Sequence, residues 1–167
     1  IFNLEIYMDY KIRELKQKEI GVLNTFLYEA IFISDGVEAP PYEIINQPEL
    51  QVYVTDFGKK KGDICYVSEC DNKIVGAVWV RIMDDYGHVD DETPSFAISL
   101  LKEYRNYGIG TELMKTMISE LKKQGYKRAS LSVQKINYAF RMYSKLGFVI
   151  IDENDEEYIM ICKLSQF

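Results

Sequence analysis

The chain has 167 residues, 20 Lys and Arg against 26 Asp and Glu, a formal net charge of −6 and 47% hydrophobic residues. That length carries one ordinary domain, and the near-average composition excludes a disordered or fibrous chain. The acidic balance argues against nucleic acid as a partner, since phosphates are held by basic surfaces, and no apolar run approaches the roughly 20 residues of a membrane helix.

Residues 1–7 lack the basic lead-in and cleavage site of a signal peptide and are set apart as an N-terminal extension, leaving a single domain over 8–167. A short strand is expected over 10–15, followed by a helix over 17–33 that buries Ile20, Leu23, Leu27, Ala30 and Ile31 on one face. Ser34, Asp35, Gly36 and the Pro40, Pro41 pair break it, and a second helical region follows over 42–57, interrupted near Pro48. Apolar runs over 64–70 and 74–82, joined through Asp71 and Asn72, predict a hairpin.

An acidic loop over 84–92 then leads into an apolar strand at 95–101, a glycine-containing turn at 105–110 and a helix. The helix carries Ile109, Leu113, Met117 and Leu121 at every fourth position and ends at Gly125 behind Lys122 and Lys123, where cations suit the helix dipole. A strand at 129–133, a short helix at 137–146 stopped by Gly147, and strands at 148–151 and 158–164 complete a mixed α/β order with at least one parallel crossover.

Arg105, Gly108 and Gly110 form R-x-x-G-x-G between a strand and a helix. Glycines let backbone approach a bulky ligand, and the free amides and dipole of a helix start favour an anion such as a pyrophosphate. A tight connection with no ligand is the other reading of the same residues. A P-loop is excluded because Thr111 and Glu112 stand where its Lys belongs, and the third glycine of a dinucleotide fingerprint is missing.

The stretch from Ile98 through Leu100, Arg105, Gly108 and Gly110 into the helix resembles the central signature of the GNAT superfamily of acyl-CoA-dependent N-acyltransferases. A second signature of that superfamily resembles Leu131, Ser132 and Val133, then Asn137, then Tyr143 through Phe148. The interval from Asn137 to Tyr143 is one position shorter than usual for the family. The resemblance implies an α/β fold with a mixed, mostly antiparallel central sheet, about four flanking helices and one parallel strand pair at the cofactor cleft. It implies acetyl-CoA as cosubstrate and no metal. Main-chain groups of Ile98 and Leu100 would meet the pantetheine arm, the turn of Arg105, Asn106, Tyr107, Gly108, Ile109, Gly110 and Thr111 would hold the pyrophosphate, and Asn137 would contact the cofactor.

By the same resemblance the acetyl group passes directly to a primary amine in a ternary complex, with Tyr143 protonating the departing thiolate and Glu92, thirteen positions before Arg105, acting as base. His88 and a water chain are rival routes for the proton. Cys65, Cys70 and Cys162 are odd in number, lack a metal spacing and are read as buried strand residues of a cytoplasmic protein. Five of the nine residues in 84–92 are acidic without the spacing of a calcium loop, and they point to a cationic small-molecule or peptide acceptor, with Tyr28, Phe32, Trp79 and Tyr86 as candidate walls. A non-catalytic acyl-CoA sensor is the competing class, and a homodimer is compatible with either.

Overall fold

The computed structural model describes residues 8–164. The proposed extension at 1–7 lies outside them. One seven-stranded sheet runs through the molecule: β1 (Lys11–Glu14), β2 (Ile64–Cys70), β3 (Lys73–Arg81), β4 (Ser95–Leu100), β5 (Arg128–Gln134), β7 (Glu157–Lys163) and, at the far edge, β6 (Val149–Glu153). Every neighbouring pair is antiparallel except β4 and β5. Asp71 and Asn72, both with positive φ, make the tight turn of the β2–β3 hairpin, whose twist suits paired strands.

Among the described residues, four α-helices flank the sheet: α1 (Val22–Glu29), α2 (Pro48–Gln51), α3 (Ile109–Lys123) and α4 (Ala139–Lys145). Strand alternation divides the core between two faces. On one, Ile109, Leu113, Met117 and Leu121 of α3 pack with Phe96, Leu131, Val133, Tyr143 and Phe148. On the other, Leu23, Phe26 and Leu27 of α1 pack with Val67, Ala77 and the fully buried Trp79.

The long first helix is not formed, and the second helical region is broken at Pro48 as expected but is shorter than 42–57. Residues Gln17–Glu19 make a separate 3₁₀ turn before α1, and the second region is a 3₁₀ turn, Tyr42–Asn46, followed by the single turn of α2. Pro48 starts α2 without an amide to donate backwards, so the two turns cannot fuse. Beyond α2 the chain is held by a buried side chain rather than by helix periodicity. Arg81 donates to the carbonyls of Val52 and Thr55 at 3.1 and 2.7 Å and, through two nitrogens, to Asp63 at 3.0 and 2.8 Å.

Candidate active site

β4 and β5 are parallel neighbours through one bridge, Ser95 to Ser130, supported by the Ser130 amide on the Pro94 carbonyl at 3.0 Å. Beyond that bridge they part. The Leu101 amide bonds the Val75 carbonyl on the β3 side, so alternation turns the backbone groups of Ile98 and Leu100 toward the gap. A cavity of about 270 Å³ occupies the gap and reaches both faces of the sheet. Phe96, Ile98, Leu131, Val133 and Tyr143 line it from the α3 and α4 side, and α1, the segment after it, Leu50 and Tyr53 line it from the other.

The 105–110 turn stands at the C-terminal end of β4. Asn106 and Gly108 both have positive φ, at 69° and 83°, which Gly adopts freely and Asn tolerates better than most residues. Gly108 caps α3 without a side-chain hydrogen bond, and a Cβ placed on it would meet no atom within 4 Å, so its surface is open. The Glu112 amide on the Gly108 carbonyl closes the first turn of α3, so the amides of Ile109, Gly110 and Thr111 precede the helical ladder. An open glycine, a helix start and a parted strand edge fit the pyrophosphate and pantetheine of coenzyme A. Tyr107 is exposed beside them.

Arg105 departs from its expected place in this turn. Its amide is already donated to the Lys102 carbonyl at 3.2 Å. Its guanidinium is spent on the Leu100 carbonyl at 3.0 Å and on Glu29 of α1 at 3.1 Å. The residue braces the turn against α1 rather than presenting a free positive charge. Asn137 lines the cavity, and its Oδ1 accepts the Ala139 amide at 2.9 Å, capping the start of α4.

Tyr143 sits on α4 with its ring edge against Phe148 and its phenol raised by burial, so it stays protonated at neutral pH. Glu92 does not join it. The residue is exposed in the turn before β4, at the closed end of the strand pair, and is not among the cavity-lining residues. His88 is also committed elsewhere, with Nδ1 donating to the Met83 carbonyl at 2.8 Å and Nε2 3.5 Å from Asp91.

The acidic loop is folded back on itself at two of its five acids, Asp85 and Asp90, while Asp84, Asp91 and Glu92 are exposed. Asp85 accepts from Tyr53 at 2.9 Å and Ser95 at 3.0 Å, the Gly87 carbonyl accepts from Ser130 at 2.8 Å, and Asp90 binds Thr93 at 2.7 Å and pairs with Arg128. Burial raises the Asp85 carboxyl, against the lowering effect of its Tyr53 and Ser95 bonds. Burial and the Asp85 charge push the Tyr53 phenol up. Of the proposed aromatic walls Phe32 lines the cavity, Trp79 is core, and Tyr28 donates to the Pro40 carbonyl at 2.6 Å. Among the lining residues that sequence reasoning does not single out are Tyr53 and Glu157, neither of which belongs to a local motif.

The model of the acetyltransferase (GNAT) family matches residues 30–148, more than half of the chain. This chain belongs to the GNAT acetyltransferase family. A probable N-acetyltransferase, camello, of Xenopus tropicalis is 33% identical over 84 residues, covering 50% of this chain and 37% of that protein. N-acetyltransferase 8B of Homo sapiens is 31% identical over 88 residues, covering 52% of this chain and 39% of that protein. The chain thus matches well under half the length of these curated relatives. Among solved structures, the PaiA N-acetyltransferase of Thermoplasma acidophilum in complex with coenzyme A has a TM-score of 0.69 at 19% identity, over 93% of this chain and 99% of that one. That likeness is one of fold: the expected GNAT architecture, with a mostly antiparallel sheet and one parallel pair, is the one observed.

Proposed function

We propose that this member of the GNAT family transfers an acetyl group from acetyl-CoA to a primary amine by direct attack. The single observation that carries the reading is the cavity between β4 and β5, which opens to both faces of the sheet and has Tyr143 in its wall. Cosubstrate and acceptor can then approach one another from opposite sides without crossing. The Ile98 backbone offers the free edge of β4 to the pantetheine arm, and the amides of Asn106, Tyr107, Gly108, Ile109, Gly110 and Thr111 offer donors to the pyrophosphate. The neighbour crystallised with coenzyme A supports that choice of cosubstrate.

Tyr143 is the donor to the departing sulfur. A buried phenol is a weaker acid than a thiol of pKa roughly 8.5, so its chief contribution is a hydrogen bond that strengthens as negative charge develops on sulfur. Cys65, Cys70 and Cys162 are buried and unbridged, which favours direct transfer over an acyl-cysteine and suits a reducing cytoplasm. The α1 side of the cavity, with Leu27, Ala30, Ile31, Phe32 and Leu50, favours an amine carried on an apolar small molecule or peptide side chain over a polycation.

The test is thiol release from acetyl-CoA across a panel of primary amines. Saturable release with at least one amine supports the enzyme. Tight acetyl-CoA binding with no release above hydrolysis for any amine supports the sensor instead.

A further inference from the structure

Glu157 opens β7 and pairs with Gln134 of β5. Tyr158 and Met160 belong to the α3 and α4 core, so alternation places the Glu157 side chain on the opposite face, with Ser132, Gln134 and the α1 wall. There it lines the cavity that Tyr143 lines from the other face. Its backbone is fixed, since its amide donates to the Asn154 side chain at 2.7 Å and its carbonyl accepts the Asn154 amide at 3.0 Å. Among the described residues, no hydrogen bond or ion pair uses its carboxylate.

The other nearby acids are engaged or misplaced. Both oxygens of Asp85 are taken, by Tyr53 and Ser95, and Glu92 is exposed outside the cavity. We propose that Glu157 is the catalytic base that removes the proton from the acceptor's ammonium, on the opposite face of the cleft from Tyr143. The assignment rests on the reading that the chain acetylates a primary amine.

Glu157 takes one proton from the ammonium, and the freed nitrogen lone pair forms the C–N bond to the thioester carbonyl carbon as the C=O π pair moves to oxygen. When the carbonyl re-forms, the C–S bond breaks and the pair leaves with sulfur. Tyr143, hydrogen-bonded to that sulfur, hands over its proton as the surplus proton of the new amide nitrogen passes to the phenol oxygen, so the phenol never stands ionised, while the proton on Glu157 passes to solvent. The products are the amide, the free thiol of coenzyme A and one proton.

The surroundings suit a base working above the ordinary carboxylate range. Burial first, then the neighbouring Glu156, raises the Glu157 carboxyl. Facing it are Tyr53 from the segment after α2 and Tyr86 from the β3–β4 loop, both pushed up in part by the Glu157 charge. Asp85 stands behind Tyr53, and Asp152 of β6 acts on the same Tyr86. Lys135 follows β5, but its ammonium is held by Glu153 at 2.8 Å.

The test uses the full chain, acetyl-CoA and 2-phenylethylamine, with kcat/KM measured against pH for wild type and Glu157→Gln. The variant should lose about 10²–10³-fold near neutrality and lose the acidic limb of the wild-type profile. It should recover toward wild type as pH approaches roughly 10, where an alkylamine deprotonates unaided. A variant with wild-type rates and an unchanged profile overturns the assignment. Calorimetric binding of coenzyme A shows whether the variant is folded. A ¹³C-carboxyl titration of wild type decides the matter independently of turnover: the Glu157 signal should titrate late and move when phenylethylamine is added with coenzyme A. An ordinary titration with no response overturns the base even if other amines are acetylated, whereas absence of all turnover condemns the acetyl-transfer reading itself.

Discussion

The Arg105 guanidinium donates to Glu29 across 76 positions of sequence, at 3.1 Å, while its Nε holds the Leu100 carbonyl at 3.0 Å. The turn proposed to bind the pyrophosphate is therefore tied to the last residue of α1, the helix whose Leu27 lines the cavity on the side proposed for the acceptor. Arg105→Ala should raise KM for acetyl-CoA several-fold with a smaller effect on kcat. Glu29→Ala, which breaks only a half-exposed pair, should cost no more than about 1 kcal/mol in denaturant unfolding. Equal KM values in Arg105→Ala and wild type would show that the brace does not shape the turn.

Tyr143→Phe should lower kcat by roughly one to two orders while leaving acetyl-CoA affinity unchanged, because the lost hydroxyl acts on charge that develops during C–S cleavage. Steady-state kinetics beside calorimetry separates the two effects. Weaker binding with an unchanged kcat would assign the tyrosine to packing, where its contact with Phe148 already gives it a role.

The buried Arg81 and Asp63 pair fixes the segment that carries Tyr53. Asp63 also accepts the Gly58 and Lys60 amides at 2.9 and 3.2 Å, so it gathers the 58–63 loop around the guanidinium. Asp63→Ala strands a buried cation and should destabilise by about 3–5 kcal/mol. Replacing both partners with apolar residues should cost less than that single change. Urea unfolding of the two variants checks the order.

Asp90 offers a pH dependence with a definite sign. Its bonds from Thr93 and Arg128 hold its carboxyl down at about 2. A lowered folded-state pKa adds stability that is complete above the unfolded value of roughly 3.9 and is lost as pH falls toward the folded value. Wild type should therefore lose stability across this acidic window more steeply than Asp90→Asn, which lacks the titrating group. Parallel curves for the two proteins would remove Asp90 from the acid response.

Much of the strand–turn–helix proposed to hold the cosubstrate is legible in the sequence as structure, because its signals are local. Gly108 and Gly110 mark a strand-to-helix turn, the fourfold spacing of Ile109, Leu113, Met117 and Leu121 marks the helix behind it, and Gly147 ends α4. The α1 side of the cavity is not legible, because it is built from distant pairs. Tyr53 meets Asp85 across 32 positions, and Glu157 meets the cavity only through its register with Gln134. The expectation for Glu92 rests on its interval from Arg105, and an interval along the chain does not report which end of a parting strand pair it reaches. The 84–92 loop reads in sequence as a run of charge, yet hydrogen bonds tie Asp85 to Tyr53 and Ser95 and Asp90 to Thr93, while Asp84, Asp91 and Glu92 stay exposed.

The glycine turn beside the parted strands is proposed to hold acetyl-CoA. Calorimetric titration of acetyl-CoA into wild type and Gly108→Val tests it most directly. A β-branched residue at φ 83° is strained and places bulk on the open surface of the turn. Saturable one-site binding in wild type that is lost or strongly weakened in a folded Gly108→Val protein is the predicted result. Equal affinity in the two proteins, or no binding to wild type, would contradict it.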